Sequence, residues 1–370
     1  MKIYLVGGAV RDKLLGLPVK ERDYAVVGAS EDEMLKLGYT RVGKEFPVFL
    51  HPKTREEYAL ARLERKTGPG YKGFNFDASK AVTLEDDLGR RDLTINAIAE
   101  STDGTLIDPY HGKQDLEKKL LRHVSPAFAE DPVRILRVSR FLARFTHLGF
   151  TVAPETTALM RSMVQAGEVN ALVAERVWKE LERALGEKNP EQFFATLDSC
   201  GALSILCDGL NLNSHGMQSL TASCQLTTNA SIRFAALLHD YANGDKKSLR
   251  DFCNRYRIPN AYTQLATLTA AHHADAYKAK ILDAEALLNL FSRLDYFRRP
   301  SRFNDFLTAC TAIYANNDND FDADWLIRCA EVARAYPVQT LVEQGLEGAA
   351  LAEQLKIKRL EKISEWLSNH

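Results

Sequence analysis

Two acidic residues near the N-terminus have the types and spacing of a metal-binding pair. Glu21 and Asp23 flank Arg22 at the edge of a β-favouring run from Tyr24 to Val27. If these residues are extended, positions i and i+2 project from the same face, with roughly 6–7 Å between them. Two such carboxylates can bind a hard divalent cation, and transfer from a nucleoside triphosphate uses such ions. A solvated, charged strand end would contain the same triplet, so the pair alone does not decide.

A glycine pair upstream strengthens this interpretation. Gly7-Gly8 ends a short apolar run and opens a helix, and Arg11 follows one turn later. Glycine permits close approach of backbone N–H groups to phosphates, and a helix N-terminus favours anions. Gly-Gly alone is common in tight strand-to-helix turns. Followed by the acid pair, however, it predicts a phosphate cradle that faces a metal site.

The elements that must position these residues change in character along the chain. Strand signals are mixed with helix signals up to Asp108-Pro109, and helical patterns dominate from about residue 113. We therefore predict an α+β fold, with a mixed-sheet head and an all-helical remainder. Predicted strands are Ile3–Val6, Tyr24–Val27, Val48–Leu50 and Glu57–Leu63, the last also compatible with a helix; predicted helices are Ala9–Leu15, Asp131–Phe145, Pro154–Gln165, Arg176–Leu185, Pro190–Cys200 and Ser231–His239.

Bulk composition sets further limits. A chain of 370 residues is expected to form about two to four compact units. It has no apolar stretch of about 18 residues, so we expect no membrane span. Six scattered cysteines without a CxxC pair fit a reducing cytoplasm and give no sign of structural zinc. The formal net charge is −1, so any contact with nucleic acid must come from local clusters of basic residues.

Several motifs in a fixed order carry a family resemblance. LVGGAVRDKLLG and then ERDYAVVG resemble the signature of the class II tRNA nucleotidyltransferases, in the DNA polymerase β superfamily. RRDLTINAIA resembles their ribose-recognition segment, DPYHGKQDL the junction of head and neck, and EDPVRILRVSRF the segment whose side chains act as template. The resemblance is to a bacterial short type without a complete HD domain.

This resemblance implies a function and a division of the chain. It implies that CTP and ATP are added in sequence to the 3′ end of tRNA, without a nucleic-acid template. It implies a head (1–112), a neck with a nucleotide-reading helix (113–185), a body (186–290) and a tRNA-binding tail (291–370). A cytoplasmic enzyme, with a monomer favoured and no membrane partner, is expected.

Residue roles are carried over at matching positions. Glu21 and Asp23 would act as the catalytic pair that binds Mg²⁺, although the family often has Asp where Glu21 stands. Glu57 and Glu64 are candidates for a third carboxylate. Nucleotide binding would fall to Gly8, Arg11, Arg91, Asp92, Asp131, Arg134, Arg137 and Arg140.

An arginine stripe adds physical support. Arg134, Arg137, Arg140 and Arg144 fall within about one third of the helix circumference, and they repel each other unless an anion lies opposite. We expect the apolar face of this helix to pack and the arginines to point outward. Asp131 lies one turn before Arg134, and together their acceptors and donors could recognise cytosine and adenine and refuse guanine and uracil. We hypothesise that this pair sets nucleotide choice.

Two other segments have open interpretations. The glycine-rich stretch from Lys66 to Lys80 is either a loop that moves between CTP and ATP addition or a surface hairpin connection. Arginines and aromatics from about residue 293 to 303 could hold the tRNA backbone, and solvated arginines at a helix junction fit equally well. The basic members are Arg293, Arg298, Arg299 and Arg302.

His239-Asp240 raises the question of a second activity. This pair is reminiscent of HD-type metal phosphohydrolases, which need further ligands on neighbouring helices. No His occurs from Leu220 to Asn229, and His272 and His273 leave the set incomplete. We therefore expect a structural role and no hydrolase.

Two rival functions remain. A poly(A) polymerase of the same superfamily would share the head motifs. A non-catalytic RNA-binding protein could keep the fold, although the acid pair and the arginine stripe favour an enzyme.

Overall fold

The computed structural model describes residues 1–43, 48–66, 74–316 and 321–369. These fall into two units, Met1–Leu206 and Cys207–His370. The first unit holds the strands: β1 Lys2–Val6, β2 Asp23–Val27, β3 Thr40–Val42, β4 Val48–Leu50, β5 Glu57–Leu60, β6 Leu63–Lys66, β7 Phe74–Asp77, β8 Ala99–Ser101, β9 Leu106–Ile107, β10 Leu120–Leu121 and β11 Thr151–Val152.

The helices run through both units. Those of the first unit are α1 Gly8–Leu14, α2 Glu31–Lys36, α3 Leu84–Gly89, α4 Gly112–Lys118, α5 Val133–Phe145, α6 Pro154–Gln165, α7 Ala174–Leu185, α8 Glu191–Ser199 and α9 Leu203–Leu206. Those of the second are α10 His215–Leu226, α11 Ala230–Leu237, α12 Tyr241–Gly244, α13 Lys246–Arg255, α14 Asn260–Tyr277, α15 Ala284–Arg293, α16 Pro300–Ile313, α17 Ala323–Arg334, α18 Val338–Glu343 and α19 Gly348–Leu367.

The main sheet is mixed, with strand order β3-β4-β5-β2-β1-β8-β9. β2 lies near its centre, antiparallel to β1 and parallel to β5. Because side chains alternate between the faces of a strand, Val26 packs into a core with Phe49 and Leu60 on one side. Ala25 packs with Leu88 and Ala97 on the other. Asp23 shares the face of Ala25, which is the face where the site forms.

Helices follow the sheet, as the predicted α+β class requires. The predicted helices are confirmed to within a few residues, and Glu57–Leu60 is a strand. α5 is the central helix of this region and packs against α7 and α8 through fully buried side chains such as Ile135, Val138 and Phe145. In the second unit, α10, α11, α14 and α16 pack together around Phe234 and Phe306. The division into head, neck, body and tail stays a prediction.

The segment from Lys66 to Lys80 is described only in part. β6 pairs with β7 in antiparallel register, with Lys66 opposite Phe74, so both ends of the segment belong to a two-stranded hairpin. Phe74–Asp77 is therefore a strand where the glycine-rich composition predicts a loop. Residues 67–73 lie outside the described residues, and the predicted movement stays a prediction.

Candidate functional site

A cleft of about 550 Å³ lies in the first unit between the main sheet and α5. It is strongly basic, with nine arginines and three carboxylates among the described residues that line it. The lining residues are Gly7, Gly8, Arg11, Asp23, Arg62, Arg90, Arg91, Asp92, Asn96, Asp131, Val133, Arg134, Arg137, Arg140, Phe141, Arg144 and Arg176. This excess of positive charge fits a polyanionic ligand such as a nucleoside triphosphate.

Of the predicted site residues, all but Glu21 line this cleft. Asp23 is the first residue of β2, paired with Val6 of β1 and Glu57 of β5. Glu21 precedes the strand, so the prediction that the two carboxylates share a strand face is wrong. The reason is that β1 ends at Val6, where the chain turns at Gly7 into α1, and no strand partner remains for the residues before Asp23.

The two carboxylates are nevertheless electrostatically linked. Burial raises the pKa of the Asp23 carboxyl above its ordinary value, the charge of Glu21 raises it further, and Arg91 opposes both effects. Repulsion between two nearby carboxylates is what a shared cation would relieve.

The glycine turn is built around an arginine. Gly7 has φ +71° and ψ −128°, a conformation that residues with a Cβ rarely adopt. A Cβ at Gly7 would also lie 2.7 Å from Nη1 of Arg91. The sequence predicted a phosphate contact for Gly8, and that role stays a prediction. The residue that the turn requires to be glycine is Gly7, and the group that passes across it is Arg91.

Arg11 is fixed by two polar neighbours. It is 3% exposed, its Nε donates to Asp12 at 2.8 Å, and its Nη1 donates to Asn96 at 2.6 Å. Its guanidinium also stacks 5.1 Å from the ring centre of Phe141 on α5. Sequence analysis did not single out Asp12 or Asn96, although Asp12 directly follows Arg11 in the glycine motif.

Asp92 links the sheet region to α5. Nε of Arg137 donates to it at 2.6 Å, and the amide of Asn96 donates at 2.9 Å. Burial alone would raise the pKa of the Asp92 carboxyl, but the charge of Arg137 and these hydrogen bonds lower it well below its ordinary range. Asp92 is therefore a permanent anion that orients Arg137.

Asp131 and Arg134 both line the cleft, but their side chains have other partners. Both Nη atoms of Arg176, on α7, donate to the Asp131 carboxylate, at 3.0 and 2.7 Å. Arg134 donates to the carbonyls of Ala127 and Arg90, at 2.9 and 2.6 Å. Arg176 stands more than 40 positions along the chain from Asp131, and no spacing pattern indicates that they meet.

The prediction that the arginine stripe points outward is wrong. Arg134 and Arg140 are only 8% and 7% exposed. Arg140 donates to Glu180 of α7 at 2.6 Å, and Arg144 donates to Asp12 at 2.9 Å. The stripe faces the cleft because carboxylates of the sheet region and of α7 lie opposite it.

The described residues do not decide whether Glu57 or Glu64 is a third metal carboxylate. Glu57 lies beside Asp23 in the register of β2 and β5, and the side chain of Glu64 lies outside the described part. Across the described ranges, no three His, Cys, Asp or Glu side chains are grouped to hold a metal ion.

His239 belongs to a histidine chain in the second unit, which we define as His215, His239 and His273. Nδ1 of His239 lies 2.8 Å from the carbonyl of Ala236, so it donates, and Nε2 of His239 then accepts from Nδ1 of His215 at 3.0 Å. His273 stacks edge-on against His239 and bonds the Tyr314 hydroxyl at 2.8 Å. His272 lies instead beside Asp275. Sequence analysis missed His215, which precedes the window from Leu220 to Asn229.

No helix among the described residues is long and apolar enough to cross a membrane.

Comparison with known proteins shows which families and folds this chain resembles. Residues 3–122 match the family described as the Poly A polymerase head domain, and residues 149–212 match the one described as Probable RNA and SrmB- binding site of polymerase A. A structure of a CCA-adding enzyme in an apo form has a TM-score of 0.73 at 22% identity, covering 100% of this chain and 91% of that one. The CCA-adding enzyme of Bacillus stearothermophilus in complex with CTP has a TM-score of 0.68 at 25% identity, covering 99% and 92%.

Sequence relatives decide the family. The multifunctional CCA protein of Thioalkalivibrio sulfidiphilus is 50% identical, covering 99% of this chain and 98% of that protein. That of Nitrosococcus oceani is also 50% identical, with the same coverage. The chain therefore belongs to the class II CCA-adding family, among the multifunctional CCA proteins.

Proposed function

We propose that this chain adds the 3′-terminal CCA sequence to tRNA from CTP and ATP, without a nucleic-acid template, and that the basic cleft of the first unit is its active site. The observation that carries the proposal is the meeting in one cleft of Asp23, the glycine turn and the arginines of α5. In the reaction, the terminal 3′ oxygen of the RNA forms a bond to the α-phosphorus of the incoming nucleotide. The bond to pyrophosphate breaks, pyrophosphate leaves, and the hydroxyl proton passes to solvent water.

A divalent cation, in our proposal Mg²⁺, fits Glu21 and Asp23. Their oxygens are hard ligands, and Glu21 is close enough to Asp23 for its charge to add to the rise in the pKa of Asp23 that burial causes. When bound, the ion would neutralise triphosphate charge and lower the pKa of the attacking hydroxyl. Glu21 is longer than Asp and precedes β2, so it would supply its oxygens from the segment before the strand.

In this proposal, the remaining residues of the cleft bind different parts of the incoming nucleotide. Gly8 and Arg11 bind its phosphates, and Arg91, held beside Gly7, lies between the phosphates and the sugar. Asp92 orients Arg137 toward the nucleotide, and Arg140 completes the basic wall on α5. The excess of positive charge in the cleft supports these assignments. Arg11, Arg137 and Arg140 are each held by a buried carboxylate or amide, so they need little reorganisation to bind an anion.

Asp131 and Arg134 read the base. Asp131 offers a carboxylate acceptor for an exocyclic amino group, and Arg134 offers guanidinium donors for ring acceptors. Arg134 lies in the first turn of α5, Asp131 lies two residues before the helix begins, and both line the cleft. On their Watson–Crick edges, cytosine and adenine place an exocyclic amino donor next to an unprotonated ring nitrogen, whereas uracil and guanine carry an N–H at that ring position.

The division into catalytic head (1–112), nucleotide-reading neck (113–185), body and tail belongs to the same proposal. A cytoplasmic location is proposed as well, supported by six scattered cysteines without a CxxC pair. We also propose a monomer.

The first experiment separates the candidate functions. The purified protein is incubated with tRNA lacking its 3′ CCA, Mg²⁺ and labelled CTP or ATP, and the product ends are sequenced. We expect C, C and A to be added and addition then to stop. Long tails made from ATP alone would indicate a poly(A) polymerase. Glu21→Ala should abolish incorporation while tRNA binding persists, and unchanged incorporation would remove Glu21 from the site.

The second experiment tests base reading. Asp131→Ala and Arg134→Ala are each assayed with all four triphosphates, and we expect both to lose the preference for CTP and ATP. Selectivity equal to that of the wild type would reject the pair as the reader.

A further inference from the structure

Asn96 lies where three arginines of the cleft meet, and the sequence patterns assign no role to it. It ends the short 3-10 turn Thr94–Asn96, is 5% exposed and lines the cleft. The arginines are Arg11 of α1, Arg137 of α5, and Arg91, which lies between α3 and the turn. Because they come from three separate segments of the first unit, a residue bonded to all three can set their relative positions.

The side-chain amide of Asn96 joins two charged groups. Its oxygen accepts from Nη1 of Arg11 at 2.6 Å, and its nitrogen donates to Asp92 at 2.9 Å. The other oxygen of Asp92 accepts from Nε of Arg137 at 2.6 Å. The partners fix the direction of the amide, because a guanidinium can only donate and an ionised carboxylate can only accept. We call the chain of Arg11, Asn96, Asp92 and Arg137 the arginine bridge.

The main chain of Asn96 holds the third arginine. Its carbonyl oxygen accepts from Nη1 of Arg91 at 3.4 Å, and Nη2 of Arg91 donates to Asp87 at 3.2 Å. That Nη1 is also the atom that passes across Gly7. The glycine turn is therefore tied to the same residue as the arginine bridge.

Arg11 and Arg137 need a bridge because their charges lie close together. Both guanidinium groups lie against the ring of Phe141, with their Cζ atoms 5.1 and 5.7 Å from its centre. Like charges repel, and each arginine is tied to an acid of its own. Asn96 connects the two ion pairs without adding charge. At this position an ionised aspartate would lack the donor, and alanine would lack both donor and acceptor.

We propose that Asn96 is a positioning residue for nucleotidyl transfer, which keeps Arg11, Arg91 and Arg137 in the relative arrangement that aligns the triphosphate for attack at the α-phosphorus. This inference rests on the proposed function, in which these arginines bind the incoming nucleotide. Without the arginine bridge, each arginine keeps its charge and its own acid, so nucleotide binding is largely retained. The alignment is lost, and misplacement by about 1 Å can lower a rate roughly 100-fold.

The test measures CMP incorporation with saturating tRNA lacking CCA and with CTP varied. Asn96→Ala should lower kcat roughly 100-fold, whereas KM for CTP should change much less. Thr94→Val is the matched control in the same buried turn. The Thr94 hydroxyl donates to Asp115 at 2.7 Å, and Thr94 is not among the described residues that line the cleft. This control should lower Tm and keep the wild-type kcat. A loss of kcat equal to that of Asn96→Ala would reduce Asn96 to a structural role and overturn the proposal.

An exchange of side chains tests the arginine bridge itself. In the double variant Asp92→Asn with Asn96→Asp, the amide and the carboxylate change places. The net charge and the three hydrogen bonds of the bridge are kept, and the bond from the Leu93 N–H to Asp92 is lost. We expect roughly ten times more activity than the product of the two single losses predicts. Single losses that simply multiply would contradict the bridge. Asn96→Asp keeps the size of the side chain, so this arm also serves if Asn96→Ala does not fold.

Failure of the proposed function gives a different result, because the wild type itself would incorporate no CMP. Crystal structures of the wild type and of Asn96→Ala test the arginine bridge in that case as well. We expect the guanidinium groups of Arg11 and Arg137 to move apart in the variant. If both keep their wild-type positions, Asn96 does not position them and the proposal is wrong.

Discussion

At the scale of single residues, the cleft depends on side chains that hold other side chains. Arg137 is oriented by Asp92, Arg11 by Asp12 and Asn96, and Asp131 by Arg176. Charged groups that are already fixed before a ligand arrives lose little entropy and need little reorganisation when it binds. Substitution of a supporting residue should therefore alter catalysis without removing a group that contacts the nucleotide.

Gly7 allows a direct test of the turn. Gly7→Ala should destabilise the protein by about 1–3 kcal/mol, since an alanine there is strained and collides with Arg91. It should also lower kcat/KM roughly tenfold or more, because Arg91 is displaced. Gly16→Ala is the matched control: φ is +68° and a Cβ meets nothing within 4 Å. That variant should cost roughly 1–2 kcal/mol and keep kcat/KM. Both variants are assayed by CMP incorporation. If Gly7→Ala and Gly16→Ala lose activity equally, Arg91 does not take part in the reaction.

Arg176 allows a test of the support for base reading. Arg176→Ala removes both hydrogen bonds to Asp131, so we expect kcat/KM for CTP and ATP to fall roughly tenfold and misincorporation of UTP and GTP to increase. Arg176→Lys keeps the charge but not the paired geometry and should be intermediate. Arg183→Ala, an exposed change on the same helix, should match the wild type. Selectivity that survives in Arg176→Ala would mean that Asp131 is positioned without it.

At the scale of elements, α5 unites two functions in one helix. Its apolar side chains pack into the first unit, and its arginines face carboxylates contributed by α1, α7 and the segment before β8. In the histidine chain, a hydrogen bond between ring nitrogens joins His215 of α10 to His239, just after α11, and His273 of α14 bonds to Tyr314, just after α16. His239 and His273 are in contact through their rings. Nitrogens used in this way are not available to a metal unless the bonds break.

The histidine chain should therefore hold no metal. We compare the metal content of the purified wild type and of His239→Ala by mass spectrometry of the metals. For any transition metal, the amount that the wild type holds and the variant lacks should be less than one equivalent per protein. We also expect no metal-dependent release of phosphate from 2′,3′-cyclic AMP. Release that requires a metal and disappears in His239→Ala would contradict this prediction and give the chain a second activity.

The histidine chain should also make the free energy of unfolding depend on pH. Burial, together with the neighbouring His239 and His215, lowers the pKa of His273 to about 4, with Asp240 and Asp275 opposing the shift. A folded pKa below the unfolded value near 6.5 means that the unfolded state binds more protons between those values. Stability is therefore full above about pH 6.5 and falls as the pH drops toward 4.

His273→Gln tests this dependence, since glutamine does not titrate. Because His273 is only partly buried, we expect the variant to lose about 1–2 kcal/mol less than the wild type between pH 7 and pH 5. Denaturant unfolding at several pH values gives the difference. His272→Gln is the control. It should keep the wild-type pH dependence, because His272 bonds to Asp275 and does not belong to the histidine chain. If the free energy of unfolding changes with pH equally in His273→Gln and the wild type, His273 is not the group responsible for the pH dependence.

At the scale of the whole molecule, the sequence predicted what is local and missed what is distant. Strand and helix positions, the glycine turn and the arginine spacing are short-range patterns, and the structure confirms most of them. The partners that fix the site were not predictable in this way, because Arg176 and His215 meet their partners only through packing of distant segments. The burial of Arg134 and Arg140 was missed for the same reason: a stripe of like charge looks solvated until the opposing acids of other elements are known.

The arrangement of the cleft within one unit gives a prediction for the entire chain. Every residue that lines it lies between Gly7 and Arg176, in the unit that ends at Leu206. Nucleotide binding should therefore stabilise that unit selectively. CTP at about 100 times its Kd adds about 2.7 kcal/mol to the free energy of unfolding of the state that binds it. Buried, unpaired cysteines report on both units: Cys200 in the first, Cys310 and Cys329 in the second.

Pulsed thiol labelling across a denaturant series, with the labelled sites identified by mass spectrometry, measures each midpoint separately. We expect CTP with Mg²⁺ to move the midpoint for Cys200 to higher denaturant and to leave those for Cys310 and Cys329 in place. GTP at the same concentration is the control, and it should move none of them, because the base reader refuses guanine. An equal shift at all three cysteines would mean that the two units unfold as one cooperative system. Nucleotide binding would then stabilise the whole chain and not the first unit selectively.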